Sequence, residues 1–278
     1  MDSPLAYING EIVPEADAHI SVLDLGVVRG FGIYEGITSF AGKLFRFNDH
    51  WERFQGSAKV LGLSIPHTKE EIETALHTLG TQETQNGRVN FRLVLTGGEA
   101  VGGLEHVPGH ETLFITAAPH TPIAEEVYAH GASLITHGYQ RFMPEVKTIH
   151  YIPAVLLQQK RKDAGAIEIL YTHNDQVLEC ATSNVFMVKD NTVITPDTKV
   201  LKGITRKVVL ELATGTYETE ETSIPVSAFL EADEIFITSS FKDIVPIVSI
   251  DGRRVGSGVP GPVTQELMKR FTENTKSF

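Results

Sequence analysis

Two short segments constrain this chain most: LECATSNVF at residues 178–186 and LKGITR at residues 201–206. The first ends an apolar run with one carboxylate, Glu179, and passes through small polar residues into a second apolar run, which predicts a carboxylate at a strand edge. The second predicts a glycine turn that opens an amphipathic helix, with apolar residues at Ile204, Val208, Val209 and Leu212. The exposed N–H groups at such a helix start, together with a threonine hydroxyl, predict a phosphate site.

Upstream, the segment PEVKTIHY at residues 144–151 places one lysine, Lys147, between a predicted strand and a helix that begins near Pro153. A lysine, a carboxylate and a phosphate-binding helix start are the contacts that pyridoxal phosphate (PLP) requires. They supply a covalent link to its aldehyde, a partner for its pyridine nitrogen and an anion site. A lone lysine is usually a solvated charge, so the prediction depends on the three features occurring together.

Lys147, Glu179 and GITR, in this order and at these spacings, resemble the fold-type IV PLP enzymes. These enzymes include branched-chain aminotransferases, D-amino-acid aminotransferases and aminodeoxychorismate lyases. The resemblance covers nearly the whole chain and continues through RGFGIYEGI, NDHWERF, TSSFKDIVPIV and GPVTQEL. It implies an α+β fold of two domains with PLP at the domain interface, and catalysis by Lys147 and Glu179. It also implies a homodimer in which the loop at residues 29–36 could reach the partner's active site.

The resemblance further implies which residues hold the cofactor phosphate. Arg53 matches the family's phosphate-binding arginine, and its fork of donors suits a phosphate. Ile204 and Thr205 open the phosphate-binding helix, and Ser239 and Ser240 match the family's second phosphate loop. The structural alternatives are a surface arginine, an ordinary helix start and a polar turn.

Substrate residues are predicted from two arginines, a tyrosine and an unusual turn. Arg29 stands where branched-chain enzymes often carry an aromatic residue, and Arg92 lies on the polar face of a predicted strand. Either arginine can bind a carboxylate bidentately, or pair with an acidic side chain of the protein. Tyr34 either walls the pocket or belongs to the core. Phe241 and Lys242 replace the family's small residues, which narrows the space that branched-chain enzymes use for the α-carboxylate.

These features favour a PLP-dependent transaminase that moves an amino group from an α-amino acid to a 2-oxo acid by a ping-pong mechanism, with the Lys147 amine transferring the proton. Arg29, Arg92 and the Phe241-Lys242 turn favour a D-amino-acid enzyme over a branched-chain L-amino-acid aminotransferase. Two other interpretations stay open. One is an enzyme of the aminodeoxychorismate lyase type, and the other is a non-catalytic PLP-binding protein.

Domain organisation follows from prolines and from hydrophobic periodicity. Pro119 and Pro122 mark residues 118–122 as a linker between a small N-terminal α+β domain, residues 1–117, and a larger C-terminal domain, residues 123–278, that carries Lys147. In the N-terminal domain we expect an Asn9-Gly10 hairpin, a helix at residues 48–61 that Asn48 or Asp49 caps, and a strand at residues 88–96. In the C-terminal domain we expect strands near residues 133–137, 168–171, 185–188, 234–237 and 244–250, and helices near residues 153–164, 205–214 and 262–272.

Charge and composition exclude several classes of partner. The formal charge is −11, and no basic cluster is longer than Gln159–Lys162, which argues against nucleic acid or anionic membrane as a partner. No apolar run is long enough to span a bilayer, and Met1–Pro4 lacks the start of a secretory signal. The single cysteine, Cys180, fits a reducing compartment, so we expect a cytoplasmic protein.

A metal site is not expected. His106 and His110 have a metal-like spacing, but Pro108 and Gly109 preclude the helix that would align the two imidazoles. Cys180 stands where many transaminases have glycine, and it is expected to be a small buried side chain rather than a nucleophile.

Overall fold

The computed structural model describes residues 3–82 and 87–278. Met1 and Asp2, part of the segment used above to argue against a secretory signal, lie outside the described residues. The chain divides into two compact units. The first contains the described residues up to Thr121 together with Val146–His150, and the second contains Pro122–Glu145 and Tyr151–Phe278. The sequence-based division placed Lys147 in the C-terminal domain, whereas the structure groups its segment with the first unit.

Within the described residues, the first unit is a six-stranded antiparallel sheet with helices. Its strands are β1 (Leu5–Ile8), β2 (Glu11–Pro14), β3 (Gly32–Phe40), β4 (Lys43–Leu44), β5 (Arg88–Thr96) and β6 (Thr112–Pro119). They lie in the order β2-β1-β6-β5-β3-β4. The helices are α1 (Leu25–Arg29), α2 (Phe47–Leu61) and α3 (Lys69–Gln82), with a 3-10 turn at Glu15–Asp17. Helix α2 packs on β3, and α3 packs on β1 and β6.

Local sequence accounts for much of this unit. Asn9 and Gly10 have φ values of 47° and 102° and join β1 to β2, which confirms the predicted hairpin. The predicted strand at residues 88–96 is β5, whose alternate residues from Val89 to Leu95 are buried. Helix α2 ends at Gly62 as expected, but Asn48 and Asp49 lie inside the helix and do not cap it. That prediction was wrong because the helix begins earlier, after a left-handed residue at position 46.

The pleat of β3 separates two sets of side chains. Successive residues of a strand point to opposite faces, and directly paired residues of neighbouring antiparallel strands share a face. Tyr34 and Gly36 therefore lie on one face together with their β5 partners Val94 and Arg92. Glu35 lies on the opposite face, where it contacts side chains of α2.

Residues 146–150 extend this sheet along β3. The Tyr34 amide donates to the Lys147 carbonyl at 2.9 Å, and the Ile149 amide donates to the Gly32 carbonyl at 3.1 Å. Ile33 forms an isolated antiparallel bridge with Thr148. These backbone bonds explain why Lys147 belongs to the first unit although its neighbours in sequence belong to the second.

Within the described residues, the second unit is built on a ten-stranded mixed sheet in the order β12-β11-β10-β14-β15-β7-β8-β9-β13, with β16 paired to β15. The strands are β7 (Ala132–Gly138), β8 (Glu168–His173), β9 (Gln176–Cys180), β10 (Asn184–Lys189), β11 (Thr192–Thr195), β12 (Glu218–Glu221), β13 (Ile224–Pro225), β14 (Glu234–Ser239), β15 (Asp243–Ile250) and β16 (Arg253–Arg254). The helices are α4 (Glu125–His130), α5 (Ile152–Leu156), α6 (Gln158–Asp163), α7 (Ile204–Ala213), α8 (Val226–Leu230) and α9 (Pro262–Ser277).

The predicted strands of the second unit are confirmed as β7, β8, β10, β14 and β15, and two predicted helices are confirmed as α7 and α9. The helix predicted at residues 153–164 is instead the pair α5 and α6, which meet at Leu157. The core includes Leu170, Val185 and Ile237, each at most 1% exposed. Within residues 3–82 and 87–278, no helix is long and apolar enough to cross a membrane.

Candidate active site

Lys147 is held beside Tyr34 in the first unit. Its Nζ donates to the Tyr34 hydroxyl at 3.3 Å and lies 4.4 Å from the centre of the Tyr34 ring, a cation–π distance. The backbone amide of Lys147 donates to Ser57 Oγ at 3.4 Å. Lys147 and Tyr34 are both partly exposed. The structure thus brings together two of the predicted site residues and gives the lysine a defined position.

A buried ionic cluster lies on the opposite face of β3. Arg53 donates to Glu35 through Nε and NH2, at 2.8 Å each, in a bidentate arrangement. His50 Nδ1 lies 2.8 Å from Oε2 of the same carboxylate. Glu35 is fully buried and Arg53 is largely buried, with its side chain 12% exposed. Arg53 is therefore not a surface arginine, and Glu35 sets the plane of its guanidinium group.

Electrostatics in this cluster favour a charged carboxylate and a neutral imidazole. Burial alone would raise the pKa of Glu35, but the Arg53 charge and the hydrogen bonds from His50 and Arg53 lower it to about 2. Burial lowers the pKa of His50, and the nearby cations Arg53 and Lys147 act in the same direction. The hydrogen bond to Glu35 opposes this shift without reversing it.

The two predicted substrate arginines occupy different parts of the first unit. Arg92 is exposed and pairs with Gly36, on the face of the sheet that also carries Tyr34. Arg29 is exposed at the end of α1, where NH1 donates to the Val28 carbonyl at 2.7 Å. Because β3 starts just after Arg29, the strand rise separates its beginning from Gly36 by roughly 13 Å. Arg29 thus lies just before the start of β3, whereas Arg92 lies beside the middle of that strand.

In the second unit, Glu179 is oriented by two donors. Its Oε1 accepts a hydrogen bond from Arg141 Nε at 2.7 Å, and its Oε2 accepts one from the Leu201 amide at 3.0 Å. Glu179 is 5% exposed and Arg141 is 8% exposed, so this ion pair is buried. Sequence reasoning missed Arg141, because nothing in its local segment distinguishes it from a surface arginine. The only available signal was that a buried carboxylate requires a cation.

The start of α7 has the features of an anion site. Gly203 precedes the helix, and no side chain caps it, so the first N–H groups of Ile204 and Thr205 have no acceptor within the helix. A Cβ at Gly203 would lie 2.0 Å from Asn184 Oδ1, which requires glycine here. The side-chain amide of Asn184 in turn donates to the Leu201 carbonyl at 2.7 Å. Asn184 therefore packs against Gly203 and holds the backbone of Leu201 just before the start of α7.

The turn between β14 and β15 carries the other predicted phosphate residues. Ser239 and Ser240 are both partly exposed. Among the described residues, the buried Ser239 Oγ has no hydrogen-bond partner. Phe241 is half-buried, and Lys242 contacts Glu168 at 2.8 Å. The substrate roles of Phe241 and Lys242 stay predictions.

The polar groups within each unit fit PLP chemically. The second unit offers a buried carboxylate at Glu179, an uncapped helix start at Ile204 and, at Ser239, a hydroxyl without a partner in the part of the chain described. These groups suit a pyridine nitrogen and a phosphate. The first unit offers the Lys147 amine.

Two other chemistries are not supported by the site. Burial raises the pKa of the Cys180 thiol well above its ordinary value, so this cysteine is not a reactive nucleophile. In residues 3–82 and 87–278, no group of His, Cys, Asp and Glu side chains could hold a metal ion. His106 instead lies 3.0 Å from Glu111, through Nε2 and Oε1.

Comparison with known proteins identifies the class of enzyme. A family model described as amino-transferase class IV matches residues 32–250. The chain therefore belongs to the class IV aminotransferases and is a PLP-dependent transaminase. The fold type expected from the sequence is confirmed as well, because crystal structures of aminotransferases superpose on nearly the whole chain.

Individual relatives carry two different activities in their names. A putative branched-chain-amino-acid aminotransferase of Methanocaldococcus jannaschii is 36% identical over an alignment 278 residues long. The alignment covers 96% of this chain and 95% of the relative. A D-alanine aminotransferase of Listeria monocytogenes is 32% identical over 273 residues, with coverage of 96% and 94%. A crystal structure of a branched-chain amino acid aminotransferase of Thermoproteus uzoniensis with norvaline matches with a TM-score of 0.88 at 26% identity, covering 99% of this chain and 95% of that one.

The buried cluster around Glu35 predicts a specific acid sensitivity. The pKa of Glu35 is lowered from 4.5 to about 2, so its stabilising contribution is present above pH 4.5 and is lost as the pH falls towards 2. Over that window the wild type should lose on the order of 3 kcal/mol of unfolding free energy through this group. Glu35→Gln should be less stable than wild type at neutral pH and should lose less on acidification.

Urea unfolding monitored by circular dichroism, at neutral pH and at several acidic pH values, measures this difference. The exposed Glu70, on α3, supplies the control, because Glu70→Gln should follow the wild-type profile. If the unfolding free energy of Glu35→Gln fell with pH in parallel with that of wild type, Glu35 would not be the source of the acid sensitivity.

Proposed function

We propose that this transaminase binds PLP through a covalent link at Lys147, with Glu179 as the partner of the pyridine nitrogen and the start of α7 as the phosphate site. One observation carries the proposal. The Leu201 amide, two residues before Gly203, donates to Glu179 Oε2 at 3.0 Å. The nitrogen partner and the phosphate helix are thereby joined by one short segment of the second unit, which suits a ligand that presents a ring nitrogen and a phosphate together.

Each residue has a definite task in this proposal. Bound PLP supplies an electron-withdrawing ring that stabilises negative charge at the substrate Cα. Glu179 holds a proton on the pyridine nitrogen, while hydrogen bonds from Arg141 and the Leu201 amide orient its carboxylate. The amine of Lys147 accepts the proton from the substrate Cα and returns it on the cofactor side. The Tyr34 ring and hydroxyl hold that amine in place.

The phosphate contacts are part of the same proposal. Ile204, Thr205, Ser239 and Ser240 donate from the second unit, with the helix dipole of α7 adding to their effect. Arg53 contributes a guanidinium group whose plane is set by its bidentate bond to Glu35. A preset orientation lowers the entropy lost when the arginine binds an anion.

We propose D-amino acids as substrates, with a 2-oxo acid as the second substrate. Arg92 shares a sheet face with Tyr34, whose hydroxyl contacts Lys147, so a carboxylate held by Arg92 lies on the side where the amine acts. The branched-chain alternative is supported by the relative from Methanocaldococcus jannaschii and by the Thermoproteus uzoniensis structure. The proposed preference for D-amino acids is supported by the D-alanine aminotransferase of Listeria monocytogenes.

The cofactor assignment predicts a covalent adduct at one lysine. Borohydride reduction of the PLP-saturated protein should fix the cofactor to the peptide that contains Lys147, and mass spectrometry identifies that peptide. Lys147→Ala should abolish the adduct and lower turnover by at least about 100-fold, because the general acid–base group is lost. The exposed Lys160 on α6 supplies the control, since Lys160→Ala should keep both the adduct and the activity. Reduction that labels another lysine in wild-type protein would disprove the assignment.

Substrate choice depends on the arginines and is tested by kinetics. Arg92→Ala should raise KM for the amino donor about 10- to 100-fold with PLP still bound, because a charge-assisted hydrogen bond is lost. Arg29→Ala should also raise KM for the amino donor with PLP still bound. The exposed Arg254 supplies a control variant, Arg254→Ala, which should leave KM unchanged. A panel of D- and L-amino acids with 2-oxoglutarate and pyruvate measures stereochemical preference. Faster turnover of L-leucine, L-valine and L-isoleucine than of any D-amino acid would establish the branched-chain alternative.

We also propose that the enzyme is a cytoplasmic homodimer. Two neighbouring segments of the first unit expose large apolar side chains, including Val22 at 78% and Leu104 at 74%. The segments are joined by a hydrogen bond from the Ala100 amide to the Leu23 carbonyl at 3.3 Å. Clustered exposed apolar side chains are typical of association surfaces. Sedimentation velocity should give a dimer at micromolar concentration, and a monomer there would contradict the proposal.

A further inference from the structure

Lys242 is engaged by a buried carboxylate and two hydroxyl groups. Its Nζ donates to Glu168 Oε1 at 2.8 Å, to Thr182 Oγ1 at 2.6 Å and to Ser183 Oγ at 3.3 Å. Three hydrogen bonds use all the donors of an ammonium group. Glu168 is 4% exposed and also accepts hydrogen bonds from the hydroxyls of Thr182 and Ser183. The four side chains thus form one closed network, which we call the Lys242 network.

The Lys242 network joins two turns that carry proposed cofactor residues. The turn after Glu179 is closed by a hydrogen bond from the Cys180 amide to the Ser183 carbonyl at 2.8 Å. The turn that starts at Ser239 is closed by a hydrogen bond from the Lys242 amide to the Ser239 carbonyl at 3.3 Å. The side-chain bonds of the network therefore tie the turn next to the proposed nitrogen partner to the turn with the proposed phosphate donors.

The second turn has a further anchor. The hydroxyl of Tyr128, on α4, donates to the Lys242 carbonyl at 3.0 Å. The turn is thus held through both the side chain and the backbone of one residue. At its other end, the buried Ser239 hydroxyl has no hydrogen-bond partner among the described residues. A restrained turn with an unsatisfied hydroxyl is suited to a ligand that accepts hydrogen bonds.

A substrate contact by Lys242 conflicts with the charge balance of this network. Burial alone would raise the pKa of Glu168, but the Lys242 charge and three hydrogen bonds lower it below its ordinary value. The carboxylate is therefore ionised at neutral pH. If Lys242 turned towards a substrate, Glu168 would remain as a buried charge without a cation, which is strongly unfavourable.

We propose that Lys242 is a positioning residue that holds the turn at residues 239–242 in its phosphate-binding conformation, and that it does not contact the substrate. The inference rests on the proposed function above, because it concerns the same cofactor. It replaces the substrate role that the sequence suggested for this lysine. Of the two residues that the sequence predicts to narrow the substrate pocket, Phe241 and Lys242, only Phe241 then keeps that role.

The test compares two ligands that differ only in the phosphate group. Dissociation constants of the full-length apoprotein for PLP and for pyridoxal are measured by absorbance titration. Lys242→Met and Glu168→Gln should each weaken PLP binding at least about tenfold and change pyridoxal binding less than about twofold. The double variant should bind PLP about as weakly as Lys242→Met alone, because both changes break one network. Lys160→Met, at an exposed site, should match wild type for both ligands.

Other outcomes would overturn the inference. Unchanged PLP binding with a tenfold or larger rise in KM for the amino donor would show that Lys242 contacts the substrate. An equal loss of PLP and pyridoxal binding would show a general structural role. Glu168→Gln preserves side-chain shape, so it decides the question if Lys242→Met does not fold. Wild-type protein without a PLP adduct at Lys147 would refute the proposed function, whereas wild-type adduct formation with unchanged PLP binding in both variants would refute only this inference.

Discussion

Pairing of buried carboxylates with cations is the constraint on which the proposed site depends. Glu35 is paired with Arg53, Glu179 with Arg141, and Glu168 with Lys242. A buried carboxylate without a cation is costly, so each pair fixes the position of its basic partner. The pairs therefore distinguish cations with an internal structural task from those, such as Arg92, that lie at the surface.

The pleat of β3 positions two groups of side chains in the first unit. Consecutive residues Tyr34 and Glu35 point to opposite faces, so one strand serves both the lysine segment and the buried ionic cluster. Backbone pairing of residues 146–150 with β3 adds a second restraint on Lys147. In the proposed function Lys147 exchanges a proton at one atom, and a restrained position suits that role because misplacement of a catalytic group lowers the rate.

Family membership does not decide the substrate, and the structure indicates why. The features assigned to the cofactor lie in the backbone of α7 and in the buried pair of Glu179 and Arg141. The residue proposed above to bind the substrate carboxylate, Arg92, is instead an exposed side chain of β5. Relatives of similar identity accordingly carry the names of branched-chain and D-alanine aminotransferases.

The sequence by itself determined the order of the main strands and helices, and it singled out Lys147, Glu179 and the start of α7, because these depend on local periodicity, glycine turns and motif spacing. Short strands such as β13 and β16 could not be predicted, since two residues carry no period. Only the tertiary structure paired Glu179 with Arg141 and Lys242 with Glu168. It also grouped Lys147 with the first unit. Such contacts join residues far apart in sequence, and the burial that makes each pairing necessary exists only in the folded chain.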